Sequence, residues 1–378
     1  MTGSFVNVRR DRKRLYRFGA GFGALLALLA LFSCAPDSEG RFQLAAVAAP
    51  ETAPAARFSE TEFIAADGEH LPMRKWLPRG EVKGVILALH GFNDYSNAFE
   101  IPAQEWAKQG IATFAYDQRG FGATQDRYRW AGSTPMAADV VTAARGLRAR
   151  YPGRPLYVLG ESMGGAVATV AMTGAINSVV PSPMAGEAPT ATVLPRPDVD
   201  GVILSAPAVW GRSTMELVPK LALFAGVRLF PQMTLSGRGL QIMASDNLPM
   251  LRALGRDPMV IKETRIDAIY GLVDLMDLAQ AAAPRLDAPV LVLYGAHDEL
   301  VPSDALRSFV SHLPSDAPNK RRLAYYPRGY HLLLRDLDGA TVANDVAHWM
   351  LNRAAPLPSH ADGIEFAKPW PPKREGSG

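Results

Sequence analysis

The sequence predicts an α/β protein, a mostly parallel β-sheet with helices packed on both faces. Three features predict it. Short, almost uninterrupted apolar runs recur at 84–89, 111–116, 156–159, 201–204, 289–294 and 322–326, and strands apolar on both sides belong in a sheet buried on both faces. Stretches of helical period lie between them, the alternation that builds parallel sheets. The residues able to do chemistry, His90, Asp117, Ser162, Asp298 and His331, fall on the loops that leave these runs, where ligands bind in such sheets.

Length and composition agree. With 378 residues, 48% hydrophobic and 20% charged, the chain can bury the core of one large domain carrying an insertion. The net charge of +3 is concentrated at one end: residues 1–33 hold five Arg and one Lys against one Asp. The remainder is slightly acidic and makes no electrostatic case for nucleic-acid binding.

Those first 33 residues have the three-part shape of a signal peptide. A basic segment runs from Arg9 to Arg17, an apolar stretch from Phe18 to Phe32, and small residues follow. The apolar stretch is roughly 15 residues, short of the about 20 that span a bilayer. Leu31-Phe32-Ser33-Cys34 resembles the lipobox of bacterial lipoproteins, in which the chain is cut before a cysteine that then carries lipid. Cys34 is the only cysteine, which excludes an internal disulfide. The resemblance implies a lipid anchor at Cys34 and a place in the bacterial cell envelope; Ala35 after it favours the outer membrane. Residues 34–56, rich in Ala and Pro and without periodicity, read as a tether.

The folded body begins near Arg57. Phe63-Ile64-Ala65-Ala66 and Leu71 to Leu77 flank Asp67-Gly68, a hairpin signal. Run 84–89 is the first parallel strand, a helix around Gln104 to Gln109 crosses over, and run 111–116 is the second. Met136 to Tyr151 reads as a helix. Leu156 to Leu159 then leads into Gly160-Glu161-Ser162-Met163-Gly164-Gly165, with Ala166 to Met172 continuing as a helix. This is G-x-S-x-G on a strand-to-helix turn, the setting that holds a strained serine out as a nucleophile. Glycines are required because the backbones there crowd too closely for a Cβ. Val179 to Pro197 contains five prolines and reads as a surface loop.

After run 201–204 the alternation stops. Residues 207–284 form the insertion. Ser213-Thr214-Met215-Glu216 reads as a capping box opening a helix, and Leu217, Leu221, Phe224, Leu229 and Phe230 supply an apolar surface. Pro219 speaks against one unbroken helix there. Trp210, just past the strand, is the candidate pocket wall. Strand 289–294 precedes Gly295-Ala296-His297-Asp298, strand 322–326 precedes Gly329-Tyr330-His331, and the closing helix carries Val342, Val346, Trp349 and Met350 on one face. From residue 355 the chain reads as a flexible tail.

A serine hydroxyl needs a base to take its proton, and that imidazole needs an acid to fix its tautomer. The residues alone leave competitors beside Asp298 and His331: Glu299 and Asp117 as acids, His297 as a spare imidazole. Asp117-Gln118-Arg119-Gly120 reads as a loop ordered by an ion pair, and His90 as a hydrogen-bonded loop histidine. His70, His312, His348 and His360 do not cluster, and no metal-ligand spacing is present.

From about Phe63 to Leu351 the chain resembles the α/β-hydrolase superfamily, in its monoacylglycerol lipase and lysophospholipase branch. The motifs are Leu89-His90-Gly91, Asp117 to Gly122, Gly160 to Gly165, Leu204-Ser205-Ala206-Pro207, Tyr294 to Asp298 and Gly329-Tyr330-His331. The order Ser, acid, His is that of the superfamily. The resemblance implies an α/β-hydrolase fold with core segments 57–206 and 285–354 and a helical cap at 207–284. It implies Ser162 as nucleophile, Asp298 as orienting acid, His331 as base, and the backbone amides of Phe92 and Met163 as the oxyanion hole. The expected activity is hydrolysis of lipid-like carboxylic esters, monoacylglycerol or lysophospholipid, through an acyl-enzyme, with no metal or cofactor. An acyltransferase using the same acyl-enzyme and a silent lipid-binding module are the alternatives. Two departures stand out: Phe92-Asn93-Asp94-Tyr95-Ser96 replaces the usual small-residue oxyanion loop, and Glu161 stands where histidine is common.

Overall fold

The computed structural model describes residues 57–176, 192–237, 242–314 and 321–363. The expected signal peptide, Cys34, the tether and residues 364–378 of the tail lie outside the described residues. Thirteen strands are present among those described: β1 (Arg57–Phe58), β2 (Glu62–Ile64), β3 (His70–Trp76), β4 (Gly84–Leu89), β5 (Ile111–Tyr116), β6 (Leu156–Glu161), β7 (Ala175–Ile176), β8 (Thr192–Val193), β9 (Gly201–Ser205), β10 (Thr234–Ser236), β11 (Glu263–Arg265), β12 (Val290–Gly295) and β13 (Arg321–Tyr326). The helices are α1 (Glu100–Lys108), α2 (Ser133–Arg150), α3 (Met163–Thr173), α4 (Leu217–Leu229), α5 (Leu248–Arg256), α6 (Ile266–Ala282), α7 (Ser303–His312) and α8 (Gly339–Leu351).

Nine strands form one sheet in the order β1-β2-β3-β5-β4-β6-β9-β12-β13. From β5 to β13 every neighbouring pair is parallel, and β1 to β3 add an antiparallel edge. All residues of β4, β5, β6, β9 and β12 are buried, as the unbroken apolar runs require. Alternate residues feed two cores. Val85, Leu87, Val158, Val202 and Val292 pack with α2, α3, α6 and α7 on one face. Ile86, Ala88, Leu159, Ile203 and Leu293 pack with α1 and α8 on the other, around Trp106 and Trp349. The chain crosses from β5 to β6 on the opposite side of β4, so a crevice opens at the carboxyl ends of the central strands.

The interval 207–284 divides in two. α6 packs along α3 as part of the layer on the sheet. The described residues of 207–265, with α4, α5 and the β10–β11 pair, make up the rest of the insertion, where the cap is expected. It is bonded to the loops at the strand ends through Ile261 N–H to Asn93 O (2.9 Å) and Leu332 N–H to Ala244 O (2.9 Å). Among the described residues no helix is long and apolar enough to cross a membrane.

Three local expectations are corrected. α4 starts at Leu217 after Glu216 and has no side-chain cap, because the Thr214 hydroxyl and N–H are both spent on Gly211 O in a preceding turn. Pro219 does not break the helix, since it is its third residue, where an N–H has no intrahelical acceptor to lose. The tail is not free at residues 356–363. Leu357 is fully buried in the second core, Tyr325 N–H donates to Ala361 O (2.9 Å), and Ser359 N–H donates to Asp345 Oδ1 (3.1 Å). The proline-rich loop is entered and left through the antiparallel β7–β8 pair, and its residues 177–191 lie outside the described residues.

Candidate active site

Ser162 sits between the last residue of β6 and the first of α3, with φ 52° and ψ −115°. A non-glycine residue holds such a conformation only where its surroundings impose it. Here Ser162 N–H donates to Ser205 O, and Ser162 O accepts from Gly165 and Ala208 N–H, all at 2.9 Å. The flanking glycines are sterically compulsory. A Cβ on Gly160 would meet the Gly164 backbone, and one on Gly164 would meet the backbone of Leu89. The turn is thereby pressed against the end of β4.

His331 and Asp298 are brought together from the loops after β13 and β12, Nδ1 to Oδ2 at 2.9 Å, both buried. Asp298 Oδ1 accepts the N–H groups of Leu300 (2.8 Å) and Val301 (2.9 Å), so the carboxylate is held by its own turn. Burial opposes charge on the His331 imidazole, but the Asp298 carboxylate and its hydrogen bond outweigh it and leave the pKa above the ordinary histidine value. Glu161, the residue before Ser162, adds to that rise. His331 and the turn that carries Ser162 thus share one electrostatic environment.

Gly91 brings the loop after β4 to the same place: a Cβ there would lie 3.4 Å from Ser162 Cβ. Phe92 packs edge-on against Phe121 (5.4 Å between centroids). Among the described residues neither the Phe92 nor the Met163 backbone N–H donates to a protein acceptor. Trp210 is half-buried and follows Ala208 by two residues, which sets its backbone beside the Ser162 turn.

The competing residues are engaged elsewhere. His90, fully buried, donates from Nδ1 to Gly91 O (2.8 Å) and accepts Gln118 N–H at Nε2 (2.9 Å); burial depresses its pKa, and it stays neutral. It is the loop histidine expected. Asp117 does not pair with Arg119. It accepts the N–H groups of Ser96 (2.9 Å) and Ala123 (2.8 Å), while Arg119 bridges Asp139 (2.7 Å) and Asp67 (2.8 Å). Sequence neighbours on a tight turn point apart, so the pairing is long-range. Glu299 accepts Met243 N–H (3.0 Å) from the cap, and His297 stacks on Tyr330.

Two buried clusters were not foreseen. Arg335 donates to Glu161 (2.6 Å) and Asp94 (2.8 Å). Asp336 accepts Ser245 Oγ–H (2.6 Å) from the cap and Tyr330 N–H (2.7 Å). The one hint in the sequence was the acid in place of the usual histidine at Glu161.

The model of the family described as serine aminopeptidase, S33, matches residues 80–338. Monoglyceride lipase of Mus musculus is 28% identical over 303 residues, 78% of this chain and 90% of that protein. Monoacylglycerol lipase of Mycolicibacterium smegmatis is 25% identical over 301 residues, 78% and 97%. The crystal structure of Paleococcus ferrophilus monoacylglycerol lipase superposes with TM-score 0.58 at 19% identity, covering 74% of this chain and 98% of that one. With a family match over more than half of its length and the α/β-hydrolase fold around Ser162, the chain belongs to the serine aminopeptidase S33 family of α/β-hydrolases.

Proposed function

We propose that the protein is a serine hydrolase cleaving carboxylic esters of lipid-like substrates, a monoacylglycerol or a lysophospholipid, through an acyl-enzyme. The observation that carries it is the buried Asp298–His331 pair at the sheet edge that also presents Ser162 at positive φ. His331 takes the hydroxyl proton as Ser162 Oγ attacks the ester carbonyl carbon. The oxyanion is received by the Phe92 and Met163 amides, each worth about 3 kcal/mol in such sites. The leaving alcohol departs with the proton from His331, and water, activated by the same imidazole, releases the acid.

Ester rather than peptide chemistry is supported by the similar monoglyceride and monoacylglycerol lipases. The acids of the loops around Ser162 and His331 are also engaged: Asp94 and Glu161 by Arg335, Asp336 by Ser245, and Asp298 by His331. A lipid-like substrate is supported by the names of the similar proteins and by the cap, whose Leu217, Val218, Leu221 and Phe230 are all more than half exposed. Apolar patches of this kind mark lipid or protein contact. A Cys34 anchor and the 34–56 tether would hold this face near the bilayer of the cell envelope, with Trp210 lining the acyl pocket.

The test is labelling by a fluorophosphonate probe together with fatty-acid release from monoacylglycerols, lysophospholipids and short soluble esters. Wild type should label and prefer long acyl chains; Ser162→Ala should lose the label and about 10⁴-fold or more of the rate. Activity confined to short soluble esters overturns the lipid assignment, and equal labelling of Ser162→Ala overturns the nucleophile. The base must be neutral to act, so kcat/KM should rise with pH through a limb above the ordinary imidazole value of 6.5.

A further inference from the structure

Nucleophile, oxyanion amide and base come from three separate loops, and one guanidinium reaches two of them from the third. Arg335 closes the short turn Leu333–Arg335, four residues after His331, and is 4% exposed. Its Nη2 donates to Glu161, the neighbour of Ser162, and its Nη1 to Asp94, two residues beyond Phe92. Both acids are buried. Glu161 Oε1 also lies against the oxyanion loop, 3.8 Å from where a Cβ on Gly91 would sit.

Resting on the assignment of Ser162 and His331 above, we infer that Arg335 is a positioning residue of the ester-hydrolysing site. With Glu161 and Asp94 it fixes the relative placement of nucleophile, oxyanion amide and base, and it balances the charge around the base. A planar guanidinium offers donors in a rigid fork, so two carboxylates bridged by it are held at one separation; a lysine ammonium imposes no such geometry.

Stability alone does not account for the cluster. Glu161 Oε2 and Arg335 Nε are buried with no hydrogen-bond partner among the described residues. Two buried carboxylates on one cation carry a net negative charge out of water, and apolar residues of similar volume would be no less stable there. What the cluster supplies is registry and a local field. The charged groups that act on the His331 imidazole are Asp298 after β12, Glu161 on β6 and Arg335 on its own loop. Asp298 and then Glu161 raise the affinity of His331 for a proton, and Arg335 lowers it.

The pH profile of kcat/KM on a soluble ester separates positioning from mere structure. Glu161→Gln removes a carboxylate beside the base and should move the acid limb down by about half a pH unit or more. Arg335→Gln leaves both carboxylates uncompensated and should move it up by a similar amount, with kcat on the plateau lowered about tenfold or more and KM little changed. Arg335→Lys should restore the limb while leaving the plateau low, because a point charge cannot hold both loops. Limbs that stay at the wild-type position in Glu161→Gln and Arg335→Gln overturn the inference, as does a fall in kcat with no shift of the limb. Should Arg335→Gln not fold, Glu161→Gln decides alone by the same criterion. Ser162→Ala is measured alongside: residual activity there refutes the nucleophile, whereas unmoved limbs with a dead Ser162→Ala refute only the role of Arg335.

Discussion

The two ends of the crevice are built in opposite ways. On the core side α3, which follows Ser162, buries all eleven of its residues. On the cap side α4 buries one of thirteen, Val227, and α5 buries none of nine. The core is held by close packing, where a single Cβ does not fit. The cap is held by a small cluster of Val227, Ile266 and Tyr270 and by polar latches such as Ser245 to Asp336 and Asn93 to Thr264 (2.6 Å each). Reacting atoms need placement within fractions of an ångström, and dense packing supplies it. If the cap covers an apolar substrate, as proposed, it must open, and few buried contacts leave the cost of opening low.

Alanine at two glycines measures the contrast most directly. In Gly164→Ala the new Cβ runs into the Leu89 backbone; neither β4 nor the turn can yield, and a loss of about 3 kcal/mol or more is expected. In Gly255→Ala, inside α5, nothing lies within 4 Å of the new Cβ, and a gain of roughly 0.5–1 kcal/mol is expected from helix propensity alone. Urea denaturation of both variants checks this. Equal effects at the two sites would erase the distinction between a packed core and a thinly held cap.

The same distinction explains what was legible in the sequence. The strands, α3, α8 and the turn at Ser162 were readable because apolar runs, helical period and glycines report local conformation. The pairing of Asp298 with His331 was legible because each closes the loop after a recognisable strand, though only a resemblance separated them from Glu299 and His297. Arg335 was not, because its partners lie 174 and 241 residues away and nothing local marks a buried ion cluster. Arg119 misled for the same reason: its carboxylates are Asp67 and Asp139, not adjacent Asp117. The start of α4 was misplaced by three residues because Ser213 and Thr214 lie in a turn before the helix rather than at its cap.

A change confined to the exposed cap tests the other half of the comparison. Leu217 and Leu221, 68% and 57% exposed, lie one helical turn apart on α4 and share a face. The double variant Leu217→Ser/Leu221→Ser should leave folding stability within about 0.5 kcal/mol. If that face meets lipid, hydrolysis of monoacylglycerol carried in anionic vesicles should fall about a hundredfold, since each leucine contributes about 1.5 kcal/mol or more on burial, while hydrolysis of a soluble ester stays unchanged. Equal loss on both substrates would mean that the face supports the site rather than the approach to lipid.

The smallest expected effect lies where cap and core touch. Burial pushes the Asp336 carboxyl up to about 6, against the Ser245 hydroxyl and the Tyr330 N–H, which favour its ionised form. Its folded pKa is therefore above the unfolded value of 3.8, so between these limits the native state binds more protons than the unfolded one, and stability falls as pH rises from about 4 to about 6. Ser245→Ala removes a donor that serves the carboxylate more than the neutral acid. The variant should lose about 1 kcal/mol at pH 8, where Asp336 is ionised, and clearly less at pH 4.5, where it is protonated. Denaturation midpoints at the two pH values decide it. A loss greater at pH 4.5 than at pH 8 would show that the latch holds the cap through a protonated Asp336, and that the cap is released, not fastened, as the pH rises.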